Sequence, residues 1–416
     1  MNKLHGAALI GQSGGPTAAI NATLAGAVGA LIENKNAGGE ITGVYGMRNG
    51  IDGFLDGRTV DLCAVFGGAD GKEKLEQLSR TPAAALGSCR RKLPDPDADP
   101  AFFERLIERF RELDIRYFFY IGGNDSMDTA AKLSKYTAGC DYEMRIVGLP
   151  KTIDNDLCGT DHTPGFASAA KYVAVTLQEI CLDCAVYTVP AVTVVEVMGR
   201  DAGWLTASAG IPKLYGACAP DLIYLPEHPF SVEAFLEDVK AELAKKPNVV
   251  VAVSEGIRLA DGTYVCELDR SAGVDVFGHK ALTGTSKTLE HIVKEKIGCK
   301  VRSVELNISQ RCASHIASLT DISESLGVGA AGVGAALGGA SGVMMAIVRN
   351  SGEAYSVRFE PMDVHEIANQ VRSVPAEFIN GKGNYVTDEC IHYLAPLIRG
   401  EAAPVFENGL PKAFIF

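Results

Sequence analysis

Two polar clusters in the sequence carry residue types that could do chemistry. The first closes the segment Arg145 to Asp156, RIVGLPKTIDND, where the apolar run Ile146-Val147-Gly148-Leu149 meets a proline and then Lys151, Thr152, Asp154 and Asp156. Such a run reads as a buried strand. A cation, a hydroxyl and two carboxylates at its end could bind an anion, hold a metal ion or move a proton, and in an open α/β sheet ligands lie outside the carboxyl ends of the strands. A polar turn in which Thr152 or Asp154 caps the next helix has the same composition, so the segment alone does not decide. The second cluster lies in Tyr117 to Asp128, YFFYIGGNDSMD, where a strand runs through Gly122 and Gly123 into Asn124, Asp125 and Ser126, which open a helical pattern from Met127 to Lys135. Glycine-rich strand-to-helix turns expose N–H groups that hold phosphate, and a side-chain oxygen there can bind Mg²⁺. Asp125 and Lys151 are 26 positions apart with a helix between them, the spacing of one βαβ unit whose strand ends face one crevice. The coincidence of the two tips makes a phosphate site the expectation.

Other segments must position these groups. Ala7 to Ile10 reads as a strand running into Gly11-Gln-Ser-Gly-Gly15, with a helix from Pro16 or Thr17 to about Glu33. The turn is neither a Walker A sequence nor a clean GxGxxG, and by itself it reads equally as a structural loop. Ile41 to Tyr45 is a second strand, and Gly50 to Gly57 a loop. Arg90-Arg91-Lys92 follows Leu86-Gly-Ser-Cys89; a charge run is commonly a solvated face. Pro94 to Pro100 is a connector before a helix from Phe102 to Leu113. After the two tips come a helix from Phe166 to Leu182 and a strand, Ala191 to Val197, ending in Met198-Gly199-Arg200-Asp201. Strands at Asp221 to Leu225 and Val249 to Val253 flank an amphipathic helix from Val232 to Lys245, and the second ends in Ser254-Glu255-Gly256. A helix from Ser286 to Ile297, a strand from Val301 to Leu306 and the tip Asn307-Ile-Ser-Gln-Arg311 follow, and Ala313 to Leu337 reads as a long helix crossing between domains. Alternating βα units of this number imply an α/β fold with two doubly wound, Rossmann-like domains and the site in the cleft between them.

The 416 residues exceed one ordinary core, which supports the two-domain reading. The formal net charge of −12 argues against general affinity for nucleic acid or acidic membrane, so an anionic ligand must be held by local cations. Eleven cysteines without regular spacing, and no signal peptide, predict reduced thiols and a cytoplasmic protein. Cys181-Leu-Asp-Cys184 has no second pair at zinc spacing, and core packing is its simpler reading. The most apolar window, Leu326 to Met345, is broken by Gly339 and Ser341 and lacks the bulk of a membrane span.

In order along the chain, the glycine turn, LGSCR, IGGNDS, PKTIDND, VEVMGRDAG, SEG and a final R-x₈-R ending in SQR together resemble the phosphofructokinase family, and more closely its pyrophosphate-dependent branch. The resemblance implies phosphoryl transfer to the 1-hydroxyl of fructose 6-phosphate, with residues 1–165 and 313–350 forming a phosphoryl-donor domain and 166–312 with 351–416 a fructose-phosphate domain. It implies that Asp154 takes the hydroxyl proton, that Lys151, Asp125 and Arg200 act with it, and that Asp156 and Asn124 order Mg²⁺. Gly11, Arg90, Gly123 and Ser126 would bind the donor phosphates. Thr152, Ile153, Met198, Gly199, Glu255, Arg302 and Arg311 would bind the fructose phosphate, Arg302 by reaching a neighbouring subunit of a homodimer or homotetramer. ATP-using members carry glycine where this chain has Asp125 and Lys151; the aspartate would repel a nucleotide α-phosphate and the lysine would neutralise pyrophosphate. Pyrophosphate is therefore the expected donor. The rival readings are an ATP-dependent enzyme that tolerates Asp125 and a noncatalytic sugar-phosphate-binding subunit, against which the joint presence of Lys151, Asp154 and Arg200 speaks. The chain departs from the family's usual pattern at Asn124, a neutral oxygen in place of an aspartate, from ATP-using relatives at Ala191 and Ile308, where these have an arginine and a histidine, and from allosteric bacterial members at Asn21 and Ala25, which replace two effector-holding arginines and so predict no nucleotide effector site.

Overall fold

The computed structural model describes residues 4–268 and 284–416. Among the described residues eleven of thirteen strands form two sheets, and the short pair Phe406–Glu407 and Leu410–Pro411 stands apart from them. The first holds β1 (Gly6–Gln12), β2 (Ile41–Met47), β3 (Thr59–Asp61), β4 (Ile115–Gly122), β5 (Arg145–Pro150), β10 (Val343–Arg349) and β11 (Val357–Asp363), in the order β11-β10-β5-β4-β1-β2-β3. The second holds β6 (Ala191–Val197), β7 (Leu222–Tyr224), β8 (Asn248–Ser254) and β9 (Lys300–Glu305), in the order β7-β8-β6-β9. Within these two sheets the pairings are parallel except β2 with β3 and β10 with β11, which close the edges of the larger one. Central strands of a parallel sheet are covered on both faces and need unbroken apolar sequence; IRYFFYIG in β4 and NVVVAVS in β8 supply it.

Eight helices matter here: α1 (Ile20–Asn36), α2 (Pro100–Glu112), α3 (Asn124–Thr137), α4 (Phe166–Ala185), α5 (Val232–Leu243), α6 (Thr285–Lys296), α7 (Leu319–Leu337) and α8 (Asp388–Leu394). The faces of the larger sheet pack into two cores, one around Phe102, Phe110 and Phe118 and the other joining α1 and α7 through Leu24, Val28, Val328 and Val333. The smaller sheet is covered on one side by α4, the helical segment after Arg200 and α8, and on the other by α5 and α6. From β1 the chain goes to β2 on one side and later returns to β4 on the other, so the switch point lies between the β1 and β4 tips, where a crevice is expected.

Three expectations are corrected. Gly50–Leu55 is a short helix, because Ile51 and Phe54 share a face and bury it between flanking glycines. The long helix begins at Leu319 and not Ala313: Ser318 caps it by accepting from Asp321 N, and only a single tight turn, Ser314–Ile316, precedes it. The chain beyond 351 does not all join the smaller sheet, since Val357–Asp363 pairs antiparallel along β10 before the chain crosses to pack α8 beside α4. Cys181 is buried on α4, Cys184 lies 3.3 Å from Thr193 Oγ1, and none of the eleven cysteines forms a disulfide. Among the described residues no helix is long and apolar enough to cross a membrane.

Candidate active site

The β1, β4 and β5 tips meet at one wall of a cleft of about 400 Å³, which the β6 tip and Arg311 line from the other side. After β1 the chain turns through Ser13-Gly14-Gly15, held by Gly14 N donating to Cys89 O and Ser88 Oγ donating to Gly14 O, at 3.0 and 2.6 Å. Gly14 has φ +76°, and a side chain there would crowd Lys151 Nζ. Gln12 and Asn21 fix the approach to the cationic segment: Gln12 Nε2 donates to Asn21 Oδ1, Leu86 N to Gln12 Oε1, and Asn21 Nδ2 to Thr81 O, each at 2.9 Å. Asn21 and Ala25 are buried in this packing. At the β4 tip Gly123 caps α3, so Asn124, Asp125 and Ser126 form its first turn, where backbone N–H groups and the helix dipole favour anions. Lys92 Nζ bridges to Asp125 Oδ1 at 3.2 Å across the mouth.

From β5 the chain enters the TIDND loop. Lys151 is 3% exposed, its N donates to Gly122 O and its Nζ to Gly15 O at 2.6 Å, so it ties three tips together. Asp154 N donates to Thr152 Oγ1 at 3.1 Å, and Asn155 takes φ +56°, which reverses the loop between the two aspartates. Opposite, β6 ends in Met198-Gly199-Arg200, with Arg200 at φ +50°. Glu255 Oε1 accepts from Gly199 N and Arg200 N, at 3.2 and 3.0 Å, and any side chain at Gly256 would overlap the Arg200 carbonyl. The β8 tip therefore shapes the turn that presents Arg200.

Burial and crowded charge set the protonation states. Burial, together with Asp156 and Glu255, pushes the Asp154 carboxyl up to about 7 against the pull of Arg200 and Lys151. Burial, with Arg90 and Arg311, lowers the Lys151 ammonium to about 8 although Asp154 and Asp156 oppose it. Asp156 and Glu255 are raised, both chiefly by burial. A carboxylate poised near neutrality beside the buried Lys151 ammonium and the cleft arginines, at glycine turns lined with N–H groups, is what proton transfer to or from a bound phosphorylated alcohol needs.

A family model described as phosphofructokinase matches residues 7–333. The chain is 42% identical over 409 residues to a pyrophosphate–fructose 6-phosphate 1-phosphotransferase of Halomonas elongata, covering 97% of this chain and 94% of that protein. The chain belongs to the phosphofructokinase family, in its pyrophosphate-dependent branch. A protein of the same description from Methylococcus capsulatus is 42% identical over 406 residues, 97% of this chain and 94% of its own. The crystal structure of a pyrophosphate-dependent phosphofructokinase from Nitrosospira multiformis superposes with a TM-score of 0.86 at 36% identity, covering 98% of this chain and 95% of that one.

In this phosphofructokinase the cleft gathers Arg90, Gly123, Asn124, Asp125, Ser126, Lys151, Thr152, Ile153, Asp154, Asp156, Met198, Arg200 and Arg311, all named from sequence. Gly11 is not at the wall: it sits within β1 against Met47 and Tyr120, and Ser13 to Thr17 line the cleft instead. Glu255 lies under the Met198–Arg200 turn, and Gly199 acts through that turn. Arg302 is outside the cleft, in a depression with Tyr187, Val189, Ala191 and Lys300. Arg91 and Lys92 were missed as lining residues; the signal for them was the charge run itself, which looks the same when solvated. Among the described residues no group of three or more His, Cys, Asp or Glu is placed to hold a metal ion. Asn124 Oδ1 is nonetheless a buried acceptor without a hydrogen-bond partner, and Asn124 Nδ2 lies 3.5 Å from Asp156 Oδ2. An amide oxygen and one carboxylate suit Mg²⁺, which keeps several waters and takes further oxygens from phosphate.

Proposed function

We propose that the protein transfers a phosphoryl group reversibly from pyrophosphate to the 1-hydroxyl of fructose 6-phosphate, giving fructose 1,6-bisphosphate and orthophosphate. The observation that carries this reading is the meeting of the Lys151–Asp156 loop and the α3 N-terminus with Arg200 and Arg311 in one cleft. Asp154 takes the proton of the 1-hydroxyl as its oxygen bonds to phosphorus, and the bridging P–O bond breaks to release orthophosphate. Lys151 and Arg200 offset the charge that develops on the leaving group and the transferring phosphoryl. The Ser13–Gly15 turn, Arg90, Gly123 and Ser126 hold the donor on the larger sheet. Thr152, Ile153 and Met198 frame the sugar, Glu255 sets the turn that carries Arg200, and Arg311 takes the 6-phosphate with a bidentate fork suited to it. Asn124 and Asp156 would hold Mg²⁺, which neutralises phosphate charge when bound.

Under this reading the larger sheet is the donor unit and the smaller sheet the fructose-phosphate unit, with Arg302 serving a second copy in a homo-oligomer. Free thiols and phosphorylated substrates support a cytoplasmic location. The test is phosphorylation of fructose 6-phosphate with pyrophosphate and ATP compared side by side. Pyrophosphate is expected to be used efficiently and ATP poorly or not at all; equal efficiency with ATP would overturn the donor assignment. Asp125→Gly combined with Lys151→Gly is expected to gain ATP activity and lose pyrophosphate activity, since the two positions share one site.

A further inference from the structure

The loop that carries Asp154 and Asp156 runs on into a buried cluster of charges that the proposed chemistry does not use. His162 is 1% exposed, with Nδ1 2.8 Å from Asp161 Oδ1 and Nε2 2.6 Å from Glu324 Oε2 on α7. Ionised carboxylates only accept, so a ring between two of them carries hydrogen on both nitrogens and is an imidazolium. Burial works against that charge, but the two carboxylates prevail and raise the ring to about 9. Arg349, from β10, donates through Nε and Nη2 to Asp161 Oδ1 at 3.2 and 3.0 Å, and its guanidinium lies 5.0 and 4.2 Å from the ring centres of Tyr355 and Tyr393. Tyr355 OH donates to Glu324 Oε1 at 2.7 Å and Tyr393 OH to Asp161 O at 2.6 Å. The two cations and two carboxylates balance. Asp321, one turn before Glu324, accepts from Gly165 N and Ser168 N at the start of α4, each at 2.9 Å.

Buried ion pairs of this kind are weak devices for stability, because desolvation consumes most of their attraction and apolar side chains of equal volume serve as well. What they supply is direction: each hydrogen bond fixes where its partner sits. The cluster reaches the two aspartates by short paths. Thr163, next to His162, donates from Oγ1 to Thr152 O at 2.8 Å and from N to Asn155 Oδ1 at 3.1 Å, gripping both ends of Asp154. Asp156 O accepts from Arg372 N at 2.8 Å, and Arg372 Nη2 donates to Tyr393 OH at 3.0 Å. Trp204, which follows the Met198–Arg200 turn, donates from Nε1 to Arg372 O at 3.1 Å, so the same chain of contacts reaches the opposite wall of the cleft.

We infer that His162 is a positioning residue for phosphoryl transfer: its imidazolium, bridging Asp161 and Glu324, sets the Thr152–Asp156 loop against α7 so that Asp154 meets the substrate hydroxyl in line. The inference rests on the assignment of that loop as catalytic. A displacement of the loop by a fraction of an ångström changes the alignment of base and hydroxyl and leaves the phosphate-binding cations where they are, so the loss falls on kcat and spares KM.

The experiment measures kcat, both KM values and thermal unfolding for the parent, His162→Gln, Glu324→Gln, the double variant and Tyr355→Phe, with pyrophosphate and fructose 6-phosphate. Each single glutamine variant is expected to lower kcat about tenfold or more, with both KM values within about twofold of the parent. The double variant, in which Arg349 again balances Asp161 but the bridge to α7 is gone, is expected to regain the unfolding temperature of the parent while kcat stays about tenfold or more below it. Tyr355→Phe keeps the charges and removes one hydrogen bond to Glu324; it is expected to lower kcat about threefold and provides the decision if the glutamine singles do not fold. A folded His162→Gln enzyme with the parent kcat would overturn the inference, as would a double variant that regains the parent kcat along with its unfolding temperature. If the singles do not fold, a Tyr355→Phe enzyme with the parent kcat overturns it. A parent without pyrophosphate activity would overturn the functional reading and this inference with it, whereas an active parent with unaffected variants overturns the inference alone.

Discussion

In the proposed reaction Asp154, raised to about 7, is the base and Lys151, lowered to about 8, the cation, which leaves a narrow window in which both have the charge that reaction would need. Because Asp154 is raised, its proton is lost only as pH climbs through about 7, and because Lys151 is lowered, its charge disappears through about 8. The expected kcat/KM profile is a bell with limbs in those regions, which belong to the coupled site as a whole. Lys151→Arg should abolish the alkaline limb, since a guanidinium keeps its charge, and a pH–rate series on that variant checks it. Asp154→Asn should lower kcat by about 10²-fold or more with substrate KM values little changed, measured by steady-state kinetics. The raised Asp154 also makes the folded state bind a proton that the unfolded chain has released above its ordinary range, so this group's contribution to stability is lost as pH rises through about 7.

At the scale of elements, the site depends on how α1 leaves the glycine turn and packs on α7, the helix that carries Asp321 and Glu324. The two helices cross with backbone against backbone: a Cβ on Gly26 would overlap the Leu326 carbonyl, and one on Gly329 would overlap the Thr23 carbonyl. Gly329→Ala is therefore expected to push the helices apart and cost about 1–3 kcal/mol, the usual range for overpacking, despite alanine's better helix propensity. Denaturant unfolding followed by circular dichroism measures it; a variant as stable as the parent would show that the crossing has slack.

At the scale of the molecule, the cleft belongs to neither sheet. Lys151 and Asp125 come from the larger sheet, Arg200 and Arg311 from the smaller, and the Arg372 and Tyr393 contacts knit the two together behind the Asp154 loop. Arg302 lies outside the cleft, in a depression bordered by Tyr187 and Val189, which are 51% and 63% exposed. If it serves a second copy, Arg302→Ala should raise KM for fructose 6-phosphate far more than KM for pyrophosphate, and parent activity should fall on dilution as the oligomer separates. A monomer with full activity in sedimentation under assay conditions would contradict that role.

The strands, their order of tips and most of the cleft could be read from the sequence, because parallel strands need continuous apolar runs and their carboxyl ends must carry whatever polar residues bind ligand. Ala191–Val197 is read to the residue for that reason, and Lys151, Asp154 and Arg200 fall where strand tips require them. Local patterns failed where pairing is decided by distant chain: the antiparallel edge strand Val357–Asp363 is only partly buried and its alternation is interrupted at Pro361, so its place beside β10 is set by the sheet edge it covers. The sequence shows a glycine turn without showing which of its glycines lies under Met47, as Gly11 does. The contacts of His162 with Glu324, 162 positions away, have no sequence signal at all, because a lone buried histidine acquires a charge only from the carboxylates that folding brings to it. Sequence determined which chemical groups stand at which strand ends; tertiary structure alone decided their protonation, since burial and neighbouring charge are properties of the folded surroundings and not of the residue.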